Sequence, residues 1–151
     1  MPAHSAVYAR SSRHHRSPVR RIRLLLVDDH NMVRKSLRDH IAQWPEIELV
    51  GEAADGKEAV RLADKLSPDV VVMDIRMPRM NGIEATELIL QKHPTLCIIG
   101  LSFEAGTSRS EALLRAGACA VLDKGISSEQ LHNIISQAVD RYRGVCLPSR
   151  G

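Results

Sequence analysis

A chain of 151 residues, 44% hydrophobic and 26% charged, is sized for one globular domain with one core. Aromatics make up only 3%, so that core must be aliphatic, and no apolar run approaches the roughly 18 residues of a membrane span. The net charge of +3 belongs to a tail: residues 1–21 hold five Arg and no acid, leaving 16 basic against 18 acidic residues from position 22 onward.

That Ser/Arg/His-rich tail reads as a disordered extension; the same composition suits contact with nucleic-acid or membrane phosphates, or a transit peptide. Arg20-Arg21 followed by Leu24–Val27 faintly suggests an export signal, but that apolar run stops at Asp28-Asp29, short of the roughly 7–15 residues such a signal needs. Cys97, Cys119 and Cys146 form no CxxC pair, and an odd set of this kind points to a reducing, cytoplasmic compartment.

From Ile22, aliphatic runs and helical patterns alternate five times. The first run, Ile22–Val27, is followed by a stripe of Val33, Leu37, Ile41 and Trp44. Ile47–Ala53 precedes Ala59, Leu62, Ala63 and Leu66, and Val70–Met73 precedes Ala85, Leu88 and Ile89. Leu96–Leu101 leads to Leu113, Leu114 and Ala116, and Ala118–Leu122 to Leu131, Ile134, Ile135, Ala138, Val139 and Tyr142. Runs that are apolar throughout are what strands covered on both faces look like, and the stripes have helical spacing. Ser108 to Glu111 and Ser127 to Gln130 carry capping-box spacing, and Asp55-Gly56, Ser67-Pro68, Asn81-Gly82, His93-Pro94 and Gly117 mark the turns. Five β-α units predict an α/β domain with a doubly wound parallel sheet.

Sites in such folds gather at the carboxyl ends of the strands. Asp28 and Asp29 follow the first run, Asp74 the third and Ser102 the fourth, with Lys124 just beyond the fifth. Each alone has an ordinary explanation as a turn, a cap or a surface residue; together they place three carboxylates, a hydroxyl and an ammonium on one rim. Crowded carboxylates repel unless they share a cation, and Mg²⁺, a hard cation that keeps waters and recruits phosphate oxygens, suits them. A carboxylate is also a competent nucleophile in phosphoryl transfer, which needs alignment and charge neutralisation that the metal, Lys124 and Ser102 would supply.

The segments LLLVDDH (24–30), VVVMDIRMPRMNGIEA (70–85), GLS (100–102) and RAGACAVLDKG (115–125) resemble the receiver domain of bacterial two-component response regulators, over residues 22–143. Gly125 after Lys124, and the RAGA segment, resemble the NarL/FixJ (LuxR-type) subfamily of transcriptional regulators. The resemblance implies a flavodoxin-like strand order 2-1-3-4-5 and phosphorylation of Asp74 by a sensor histidine kinase. It further implies Mg²⁺ held by Asp29, Asp74 and the backbone carbonyl of Arg76, with Asp28 assisting through water, and a phosphoryl group held by Ser102 and Lys124. The output surface would span roughly 107–142, with a homodimer as one possible use of it. DNA binding would require a C-terminal helix-turn-helix domain, for which 144–151 supplies only the start of a linker; the competing reading is a stand-alone receiver working by protein contact.

The chain departs from the pattern at Val121, where similar proteins commonly carry Tyr or Phe. Phe103 stands where smaller residues are usual, and is expected to pack on the fourth helix or to narrow the site's mouth. Arg76 and Glu104 are expected to pair across that mouth. A rival class, the aspartate-nucleophile phosphohydrolases, usually has DxD after the first strand, whereas here the pair Asp28-Asp29 is adjacent and position 76 is Arg. A nucleotide-binding module is weaker still, since GxGxxG is missing and the single GxxxxGK, at 51–57, is followed by Glu58 and not by the Ser or Thr that a phosphate-binding loop needs.

Overall fold

The computed structural model describes residues 20–103 and 106–145, the last four by their backbone alone. The tail up to position 19, Glu104, Cys146 and the closing segment 146–151 lie outside the described residues, as does the side chain of Tyr142.

Among the described residues five strands form one parallel sheet: β1 (Ile22–Val27), β2 (Ile47–Ala53), β3 (Val70–Asp74), β4 (Cys97–Ser102) and β5 (Ala120–Asp123). They run in the order β2-β1-β3-β4-β5. Between and after them lie α1 (Asn31–Ile41), α2 (Gly56–Leu66), α3 (Gly82–Lys92), α4 (Ser108–Ala116) and α5 (Ser128–Val145). The fold is therefore the flavodoxin-like one that the motifs imply.

The pleat divides the strand residues between two cores. Leu24, Leu26, Val70, Val72, Ile99 and Leu101 face α1 and α5, where Leu37, Ile41, Leu131, Ile135 and Val139 cover them. Leu25, Val27, Val71, Met73 and Ile98 face the other way, onto Ala59 and Ala63 of α2, Ala85 and Ile89 of α3, and Leu113 of α4. The inner strands β1, β3 and β4 are almost wholly buried, while the edge strands β2 and β5 are partly exposed. This explains why β2 tolerates Glu48 and Glu52 within an otherwise apolar run. A bulge between Leu24 and Leu25 lets β2 carry one extra residue.

Several local details differ from the sequence expectations. Helix α4 begins behind Thr107, with no side-chain cap, so the box expected from Ser108 to Glu111 is not formed. The Ser127–Gln130 box is formed in both directions. A further one, Asn81 with Glu84, opens α3; it hid behind an Asn-Gly pair that also signals a plain turn. Trp44 lies past the end of α1 yet packs on the same core as its stripe. Leu88 and Leu114 point outward, 39% and 46% exposed; in α3 the buried face instead takes in Thr86.

Candidate functional site

The strand order reverses beside β1, which has β2 on one side and β3 on the other. The chain leaves β1 at Asp28 and β3 at Asp74, next to each other at that crevice. Asp28 is 1% and Asp74 4% exposed. Lys124, beyond β5, reaches back across β4: its Nζ lies 2.8 Å from Asp28 Oδ2 and 3.3 Å from Asp74 Oδ1, with only 3% of the side chain exposed. The Lys124 amide donates to the Ser102 carbonyl at 2.9 Å, which ties the two strand ends together.

Local backbone structure fixes these positions. After Asp74 the chain doubles back so that the Gly82 amide donates to the Ile75 carbonyl. A Cβ on Gly82 would sit 2.4 Å from the Asp74 carbonyl oxygen, so only glycine lets α3 start this close to the site. Arg79 adopts a positive φ of 67° and bonds Asp55, pinning the same loop to the cap of α2. On the other side, Arg34 donates to the Asp28 carbonyl at 2.5 Å and to Glu52 at 3.1 Å, bracing the β1–α1 turn.

Asp28, Asp29, His30 and Asp74 bring one ligand-type atom each to within 4.8 Å of one another. His30 Nδ1 lies 3.1 Å from both Asp28 Oδ1 and Asp29 Oδ1, and 4.0 Å from Asp74 Oδ2. Asp29 Oδ1 and Asp74 Oδ2 are buried without a hydrogen bond. Buried acceptors left in that condition are costly, and their direction into a carboxylate cluster fits a divalent cation that prefers oxygen donors. Burial, with the neighbouring Asp28 charge, pushes the Asp74 carboxyl up to about 6; Lys124 and the Arg76 amide pull the other way.

A cavity of about 340 Å³ opens onto Asp74, lined by His30, Asp74, Arg76, Ser102, Phe103 and Lys124. Of the residues singled out in the sequence, Asp74, Arg76, Ser102, Phe103 and Lys124 line it, while Asp28 joins through Lys124 and Asp29 through the carboxylate cluster. Arg76 contributes its backbone amide, which donates to Asp74 Oδ1 at 3.3 Å; its expected partner Glu104 lies outside the described residues. Phe103 does not pack down on α4: it is 68% exposed, with Lys124 Nζ 4.9 Å from its ring centroid, and so stands at the cavity mouth. Val121 fills core space against the α2–α4 side. Sequence reasoning missed His30 and Arg34. His30 was visible inside LLLVDDH, but nothing in the spacing showed that its ring would turn back over the carboxylates.

Residues 24–136 match the family model described as the response regulator receiver domain. The chain belongs to this family. Its relatives include the transcriptional regulatory protein LiaR of Bacillus subtilis, 42% identical over 117 residues, which is 78% of this chain and 56% of that protein. They also include a protein-glutamate methylesterase/protein-glutamine glutaminase of Thermotoga maritima, 46% identical over 125 residues, 81% of this chain and 36% of that one. Among solved structures, a LuxR-family two-component response regulator from Aurantimonas sp. SI85-9A1 superposes with a TM-score of 0.75 at 35% identity, covering 80% of this chain and 86% of that one. The receiver chain therefore spans about half, or less, of the curated relatives it matches. Among the described residues no helix is long and apolar enough to cross a membrane.

Proposed function

We propose that this receiver takes a phosphoryl group from a sensor histidine kinase onto Asp74 and passes the change on to transcription. The observation that carries the reading is the buried cluster in which Lys124 bridges Asp28 and Asp74 while Asp74 keeps a buried oxygen without a hydrogen bond. In the reaction, one carboxylate oxygen of Asp74 attacks phosphorus while the other stays available to the metal; the bond from phosphorus to the donor histidine nitrogen breaks, and the nitrogen leaves with its electron pair. Lys124 exchanges its pairing with Asp74 for a phosphoryl oxygen, and the Ser102 hydroxyl serves another.

Asp28, Asp29 and Asp74 would hold Mg²⁺, together with the Arg76 carbonyl. When bound, the ion neutralises charge on the carboxylates and on the transferring group. Phe103 and Arg76 border the entrance, where they restrict water.

Control of transcription is supported by LiaR, a transcriptional regulatory protein by name, and by the LuxR-family neighbour; it would act through a C-terminal helix-turn-helix domain, with a homodimer as one form of the output. The methylesterase relative shows the same kind of region accompanying a different output. Receiver chemistry is separable from hydrolase chemistry by counting turnovers. With Mg²⁺ and a small acyl phosphate, one phosphoryl group per chain should be retained. Repeated turnover of a generic phosphomonoester would instead mark a phosphohydrolase.

A further inference from the structure

Away from this site, two cysteines lie side by side at the starts of neighbouring strands. Cys97 opens β4 and is fully buried, and Cys119 stands half-buried immediately before β5. Both are thiols, with their sulfurs 2.8 Å apart. The Cys119 backbone is already fastened to β4, its amide donating to the Ile98 carbonyl at 2.8 Å and its thiol reaching the same oxygen at 3.3 Å. A disulfide bond is about 2.0 Å long, so the sulfurs need close by less than an ångström, with the strands held in register. Neither residue takes part in the phosphoacceptor chemistry.

We propose that Cys97 and Cys119 form a redox modification site, closed to an intrachain disulfide by hydroperoxides. Cys119 is the more accessible sulfur and reacts first: its thiolate attacks the peroxide, an S–O bond forms as the O–O bond breaks, and hydroxide leaves. Cys97 sulfur then attacks Cys119 sulfur; the S–S bond forms, the S–O bond breaks, and the departing hydroxide takes the Cys97 proton as water. Two thiols and one hydrogen peroxide thus give one disulfide and two waters. The hydrogen bond to Cys119, together with burial, holds the Cys97 thiol well above its ordinary range, which keeps Cys97 from reacting first and makes it the resolving partner.

The ring closed by this bond contains Ser102, Phe103 and α4; Ser102 stands five residues beyond Cys97 along β4, and Lys124 five beyond Cys119 across β5. Oxidation therefore fixes the stagger of the two strands that carry the phosphoryl-holding groups.

The test uses the Cys146→Ser variant of the full chain, in which only this pair of thiols remains. After hydrogen peroxide at neutral pH, the expected product is a monomer two hydrogens lighter. Its tryptic peptides 93–109 and 116–124 run as one cross-linked species until a reductant separates them. Melting of the oxidised form should shift upward and return on reduction. The proposal is overturned if peptide 116–124 accumulates as sulfinic or sulfonic acid beside reduced Cys97. It is equally overturned if both thiols stay reduced in the folded chain under conditions that oxidise them in urea. Cys119→Ser supplies the second check: it should leave Cys97 unreactive towards peroxide, and rapid oxidation of Cys97 in this variant would also overturn the assignment.

Discussion

At the level of single residues, the site is strained by its own charges before any ligand arrives. Asp74 has a carboxyl raised to about 6 from an ordinary 3.8, so between those values the native chain binds a proton that the unfolded chain has lost. Stability must then fall as pH rises through that window. Removing the charge should reverse the effect: Asp74→Asn is expected to be more stable than wild type at pH 8 by on the order of 1–3 kcal/mol. The gap should close toward pH 4; urea titrations at the two pH values measure it, and a wild type that is the more stable at pH 8 would contradict the electrostatic account. Lys124 is the complementary case. Lys124→Met leaves buried carboxylates without their cation and should cost about 3 kcal/mol in metal-free buffer, read from the same titrations. A cost within the scatter of a surface substitution would mean that the bridge to Asp28 and Asp74 contributes little.

At the level of elements, the loop between β3 and α3 decides whether these residues meet. The Gly82 position admits no side chain without moving α3 away from the Asp74 carbonyl, so Gly82→Ala should destabilise by about 2 kcal/mol. Asn81→Ala, which removes the box with Glu84, should cost about 1 kcal/mol. Thermal melts of the two variants rank them; equal, negligible losses would show that the loop relaxes freely. Much of this level was legible in the sequence, and for a physical reason. Strands buried on both faces must be apolar throughout, so Val70–Met73 and Leu96–Leu101 stood out without any partner being known. The carboxylates were legible because each directly follows such a run, and parallel strands bring those ends to one edge. What stayed hidden depends on tertiary contact. Leu88 and Leu114 satisfy helical spacing but face outward, because Thr86 and Leu113 already fill the sheet side. The direction of His30, the reach of Arg34 to the Asp28 carbonyl and the exposure of Phe103 likewise follow from how loops fold over the rim, which no local pattern encodes.

At the level of the whole molecule, the doubly wound sheet acts as a frame that holds opposed charges close and nearly dry. Both proposed reactions would act at the ends of that frame. At the carboxyl edge, added phosphate would withdraw Lys124 from Asp74; at the amino end of β4, oxidation would join Cys97 to Cys119. Receivers work by favouring one of two conformations, and with Val121 already filling core space, this chain lacks the aromatic side chain that similar proteins commonly place there. Transmission is expected to rest on β4, α4 and the segment around Lys124. On the proposed reading, its energetic source would be relief of the charge cluster around Asp74. The most direct check is intact-mass spectrometry of the chain after a small acyl phosphate and Mg²⁺, followed by borohydride trapping to locate the modified side chain. Wild type should gain one phosphoryl group, trapped at Asp74, while Asp74→Asn gains none; phosphoryl uptake undiminished in the variant, or none in wild type, would contradict the account.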